Sequence, residues 1–160
     1  MTSRVNSIRE FIAAKNRESM GVFERMGETD WARPVYSTEG GGHWTARDVL
    51  AHLADSEKGQ LGQAQRINNG QPGVPADFDL NRWNKRAVEK RADKSPAELL
   101  ADVRDGYARV LAFLEGIAED DLDKVGRHAS GQDLSVEAIL RHIAAHRATH
   151  VAEIEAALGS

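Results

Sequence analysis

The run ILRHIAAHRATH, residues 139–150, gathers His142, His146 and His150 into one short segment of a chain with only six histidines. Neutral imidazole is a ligand for Zn, Ni, Fe or Cu. Residues at i and i+4 of a helix lie about 5–6 Å apart at Cβ, so His146 and His150 can grip one ion between them. His142 cannot complete that set, because it lies two turns from His150, about 12 Å along a helix axis. A third ligand must come from another element.

On a helical wheel with Ile139 at zero, Val136, Ile143 and Ile154 define an apolar stripe at about 40–60°. His150 falls at about 20° and His146 at about −20°, inside or beside the stripe, where a bundle ordinarily places leucine. His142 lies near −60°, towards the edge of the core. Two imidazoles on a core face have two readings: a shared metal ion, or two polar core residues that each need a buried hydrogen-bond partner.

Four long segments of helical periodicity must position these groups. They are expected near residues 3–27, 45–69, 96–117 and 135–158, with no convincing period-2 strand between them. Ile8, Phe11, Ile12, Phe23 and Met26 form the inward stripe of the first. The second opens on TARD, with Thr45 as cap and Asp48 as its capping-box partner. The third opens on SPAE, a cap serine, a first-turn proline and a capping glutamate, followed by the stripe Leu100, Val103, Tyr107, Val110, Leu114 and Ile117. Four such helices predict an all-α four-helix bundle, one domain over residues 1–160. The connection 70–94 is long enough to cross the bundle, and NRWNKRAVEKRA within it has the make-up of a short extra helix.

Composition narrows the function. The chain is 41% hydrophobic and 29% charged with a formal net charge of −4, which gives no electrostatic case for nucleic acid or an anionic membrane. No apolar run approaches the ~20 residues of a membrane span, and the polar N-terminus does not read as a secretory signal, so a cytoplasmic protein is expected. There is no cysteine, hence no disulfide, thiolate ligand or thiol nucleophile from the chain itself. The glycine run in TEGGGHW follows no predicted strand and lacks the Lys-Ser/Thr pair of a phosphate loop.

The second helix offers His52, at the margin of a stripe formed by Leu50, Leu53, Glu57 and Leu61. His43 and His128 compete with it from loop segments with no predicted rigid element beneath them. At this point WTARDVLAHLADSE, followed some ninety residues later by HIAAHRATHVAEI, resembles the DinB/YfiT-like superfamily of metalloenzymes. That superfamily is related to the mycothiol-dependent maleylpyruvate isomerase N-terminal domain and the bacillithiol transferases. Trp44, Val49, Leu50 and His52 match its first motif, and His146 and His150 its second. The resemblance covers nearly the whole chain.

What the resemblance implies is specific. The bundle should run up-down-down-up, with the long crossover between its second and third helices. His52, His146 and His150 should hold a divalent metal, Zn or Ni, with open positions for water or substrate. The activity implied is a low-molecular-weight-thiol-dependent S-transferase or isomerase, with a metal-dependent hydrolase or a non-catalytic metal-binding module as alternatives. A small-molecule substrate and a thiol co-substrate follow from the first of these. Where the family often has glutamine three residues after the last histidine, this chain has Glu153. It is the candidate catalytic residue: a base, a fourth ligand or an acceptor for an imidazole N–H, against a plain position on the helix margin. Trp83, Asn84, Arg82 and Arg86 from the crossover are candidate pocket walls. Pairing into a homodimer through the first helices or the crossover is also expected. Light scattering at micromolar concentration should then give twice the 17.6 kDa of one chain, and a monomeric mass would contradict it.

Overall fold

Short polar side chains set the start of every helix in the computed structural model, which describes residues 2–159. Thr2 caps α1 (Ser3–Arg25), its Oγ1 accepting from the Val5 N–H. A 3₁₀ turn, Glu28–Ala32, leads to a ribbon of β1 (Pro34–Val35) and β2 (Trp44–Thr45), and the ribbon feeds α2 (Ala46–Asn68). There the expected capping box forms: Thr45 accepts from the Asp48 N–H at 3.2 Å and Asp48 from the Thr45 N–H at 3.1 Å. Asp79 caps α3 (Leu80–Lys90), the short helix of the crossover. Ser95, with Pro96 behind it, caps α4 (Pro96–Gly116), and Ser135 caps α5 (Val136–Leu158). Each such cap contributes about 1 kcal/mol.

The elements differ from the periodicity in one respect. A second ribbon, β3 (Val125–Arg127) with β4 (Asp133–Ser135), precedes α5 just as the first precedes α2. Strands of two or three residues are too short to show a period of two, which is why neither ribbon is visible as alternation.

Side-chain contacts fix the helix directions. Arg47 at the head of α2 donates to the Lys94 carbonyl, and Gly106 further along α4 faces Glu57, so α2 and α4 run the same way. Arg4 pairs with Glu137 and Asn16 with Arg147, so α1 and α5 are parallel. Gln60 meets His142 while His52 meets His146, so α2 and α5 are antiparallel. The result is an up-down-down-up four-helix bundle, with α3 carried on the crossover between α2 and α4.

The core divides into two apolar clusters. One gathers Phe23, Trp31, Leu50, Leu53, Val103 and Ile154; the other Ile8, Ile12, Leu61, Leu114, Ile139 and Ile143. Between them α2 and α5 bury polar side chains instead, namely Glu57, Gln60, Arg147 and His150. The candidate site adjoins this break.

The order helix, 3₁₀ turn, ribbon, helix occurs twice, over α1–α2 and over α4–α5. Thr45 and Ser135 are equivalent caps in the two halves, and seven residues beyond them stand His52 and His142. In each half the ribbon's loop carries a polar residue back over the buried layer.

Candidate metal centre

Glu39, His52, His146 and His150 each aim one ligand atom at a common point, all within 4.8 Å of one another. His52 comes from α2, His146 and His150 from successive turns of α5, and Glu39 from the loop joining β1 to β2. The Nε2 atoms of His52 and His146 are 3.4 Å apart and those of His146 and His150 3.2 Å. Glu39 Oε1 lies 3.1 Å from His146 Nε2 and its Oε2 2.8 Å from His150 Nε2, with His52 Nε2 also in contact. Lone-pair donors so close repel one another unless protons or a cation lie between them. A tetrahedron with Zn–N arms of about 2.0–2.1 Å has edges near 3.4 Å, so the donor set fits a small divalent ion.

Charge follows the geometry. Burial alone would raise the Glu39 carboxyl, but hydrogen bonds from His146, His150 and His52 hold it far below the usual carboxylate range. Burial also disfavours charge on His52, whose pKa is lowered despite Glu39. At His150 burial is outweighed by Glu39 at Nε2 and Glu153 at Nδ1, and its pKa is raised. Without a metal, the two carboxylates flanking His150 favour its charged form.

The surroundings orient the rings. Glu153 Oε1 accepts from His150 Nδ1 at 2.5 Å, on the side of the ring away from the common point. Such a carboxylate fixes the tautomer that leaves Nε2 free to ligate. Ser56 Oγ stands 3.5 Å from His146 Nδ1. His52 Nδ1 has no partner among the described residues, so its ring is held by packing, with Trp44 at 5.0 Å between centroids.

The structure therefore brings His52, His146 and His150 together and puts Glu153 behind one of them. His142 stays apart: its Nδ1 is 2.7 Å from Gln60 Oε1 and its ring stacks on His146. His43 is exposed and outside the cluster. His128 corrects the expectation of an unsupported loop residue, being buried at the turn of the second ribbon. Its Nδ1 accepts from the Ser130 N–H, which leaves Nε2–H to donate to Gln60 Oε1 at 2.9 Å. Burial, then the neighbouring His142 charge, lowers its pKa to about 4.

Glu39 is the residue that sequence reasoning missed. Gly41 and Gly42, at φ of 62° and 80°, occupy the left-handed region that glycine adopts without strain. A Cβ on Gly40 would collide with the Trp44 ring. The three glycines thus let the loop turn tightly enough to return Glu39 over His52. The available signal was an acidic residue just before a glycine run that leads into a histidine-bearing helix.

A small cavity of ≈ 100 Å³ touches Glu39, His52 and His146. Through Ser56, Gln60, Leu80, Asn84 and Ala129 it continues into a larger chamber of ≈ 320 Å³. Trp83 and Asn84 line that chamber as expected, whereas Arg82 and Arg86 do not.

A four-helix bundle with histidines converging from α2 and α5 defines a class, and the comparisons agree with it. Residues 11–154 match the model of the DinB superfamily, so the chain belongs to that family. A relative from Oceanobacillus iheyensis, named "Putative metal-dependent hydrolase", is 27% identical over 123 residues, which are 74% of this chain and 67% of that one. Three solved structures share the fold. YfiT from Bacillus subtilis, described as "a probable metal-dependent hydrolase with an unusual four-helix bundle topology", is 18% identical at a TM-score of 0.71, covering 99% of this chain and 90% of that one. The mycothiol-dependent maleylpyruvate isomerase is 13% identical at a TM-score of 0.73, over all of this chain and 64% of its own. The colibactin self-resistance protein ClbS, solved with double-stranded DNA, is 12% identical at a TM-score of 0.80, covering 98% and 96%. Among the described residues no helix is long and apolar enough to cross a membrane.

Proposed function

We propose that the protein is a metal-dependent hydrolase in which His52, His146 and His150 hold a divalent ion, with the Glu39 carboxylate as a fourth donor. The observation that carries this reading is the convergence of four donor atoms within 4.8 Å beside an open cavity. A Zn or Ni ion held there would supply Lewis acidity towards a carbonyl or a water molecule. The chain's own residues do the rest. Glu153 sets the tautomer of His150, and Ser56 faces the outer nitrogen of His146. Glu39 would hold the ion from the loop side, where its side chain, 29% exposed, faces solvent. The name of the Oceanobacillus relative and the description of YfiT support hydrolysis.

Thiol transfer is the second reading. It is favoured by the fold shared with the mycothiol-dependent isomerase; a chain without cysteine is compatible with it, since any thiol must then come from a co-substrate. One experiment separates the two. Untagged protein is assayed for metal by elemental analysis, then offered a panel of carboxylic esters and amides with and without a low-molecular-weight thiol. Chelator-sensitive turnover without thiol is expected. Turnover that requires thiol would put the transferase first, and absence of stoichiometric metal would overturn both.

A further inference from the structure

Two glycines inside α2 have no local explanation. Gly59 and Gly62 sit in the helix interior, where glycine costs about 0.5–1 kcal/mol relative to alanine. A Cβ on Gly59 would meet nothing within 4 Å, and Gly59 lines the ≈ 320 Å³ chamber. A Cβ on Gly62 would lie 3.6 Å from Arg66 Nη1, so the Arg66 side chain folds back along the helix over the glycine. The bare helix face makes room in the chamber and room for a guanidinium at its far end.

The remaining walls give the chamber its chemistry. Phe78 and Trp83 stand with ring centroids 5.7 Å apart, a surface suited to a flat apolar body. Asp55, the lining carboxylate, is already neutralised by Arg91 at 3.1 Å and by the Trp83 indole N–H at 2.9 Å. Arg66 is the lining residue with a positive charge, and its guanidinium makes no ion pair among the described residues. From Ser56 beside His146 to Arg66 is ten residues, about 15 Å of helix.

We propose that this chamber is the substrate-binding site, and that it takes an elongated molecule with a planar apolar body and an anionic end held by Arg66. The other end of the molecule then reaches the histidine cluster past Ser56 and Gln60. This assignment rests on the functional reading above for what happens at that end, but binding in the chamber does not require metal. A volume of ≈ 320 Å³ falls in the range of small-molecule sites, about 300–1,000 Å³.

The test uses two fluorescent probes that differ only in charge, 8-anilinonaphthalene-1-sulfonate and neutral N-phenyl-1-naphthylamine, on the whole protein with and without metal. Both should bind at one site, and Gly59→Leu should abolish binding of both by filling the chamber while raising helix propensity. Arg66→Ala should weaken the sulfonate about threefold to tenfold, the loss of one charge-assisted contact in a solvent-open site, and leave the neutral probe unchanged. Binding insensitive to Gly59→Leu, or an Arg66→Ala effect equal for the two probes, would overturn the proposal. Because the metal-free protein is included, failure here is distinct from failure of the metal site.

Discussion

Alanine at His52, His146 or His150 is expected to remove most of the divalent metal from the purified protein, and alanine at His142 is expected to leave it. A four-ligand zinc site is worth roughly 10–16 kcal/mol of apparent binding, so one ligand carries about 3–4 kcal/mol, a few hundredfold in affinity. His142 shares the helix and stacks on His146, but its Nδ1 is committed to Gln60 at 2.7 Å. Glu153→Gln should keep the metal but bind it more weakly by about tenfold, since an amide oxygen still accepts from His150 Nδ1 without the charge. Complete loss of metal in that variant would mean that the carboxylate charge at His150 Nδ1 is itself required for binding. The metal should also leave as pH falls, because a protonated imidazole has no lone pair to offer. His150 has a raised pKa in the metal-free protein, so the proton competes from at or above the ordinary histidine value near 6.5. Equal metal content in the wild type and the His146→Ala, His150→Ala double variant would end the metal reading altogether.

How much of this was legible in the chain depends on how local each signal is. His146 and His150 are one turn apart, and a wheel is enough to place them on the core side. The caps at Thr45, Ser95 and Ser135 are equally local. Glu39 is not: its position depends on a ribbon of two residue pairs, Pro34↔Thr45 and Val35↔Trp44, too short to leave a periodic trace. His128 was missed for a similar reason, since the group that holds it, Gln60, is 68 positions away. The doubled element order is concealed by divergence. Of the matching positions, Val49 and Ile139, Leu50 and Leu140, and His52 and His142 keep their character, while Ser56 faces His146 and Gln60 faces His150 in the alignment of the two halves. Glu57 falls within the stripe of Leu50, Leu53 and Leu61, but nothing along α2 names its partner.

That partner is Arg147, and the pair gives the largest stability effect expected of any single substitution. Glu57 and Arg147 are buried to 2% and 4% exposure, with Arg147 Nε donating to Glu57 Oε1 at 2.5 Å. Arg147 Nη1 also donates to Asn16 on α1, so one guanidinium ties α1, α2 and α5 together in the break between the apolar clusters. Burial pushes the Glu57 carboxyl up, and the charge of Arg147 opposes that. Removing the arginine alone leaves an uncompensated carboxylate in the core, which costs about 3–5 kcal/mol. For a chain of this size that is a fall in Tm on the order of 10 °C. Replacing both partners, Glu57→Leu with Arg147→Met, should cost far less than either charge stranded by itself, because the desolvation penalty disappears with the pair. Thermal melts of the two single variants and the double variant measure this directly. Additive losses would mean that the two side chains do not act as a pair. The same residues adjoin the site in sequence, Glu57 next to Ser56 and Arg147 next to His146. The double variant should therefore fold yet bind metal more weakly than the wild type, because the ion pair also holds α2 and α5 at the spacing that brings His52 to His146 and His150.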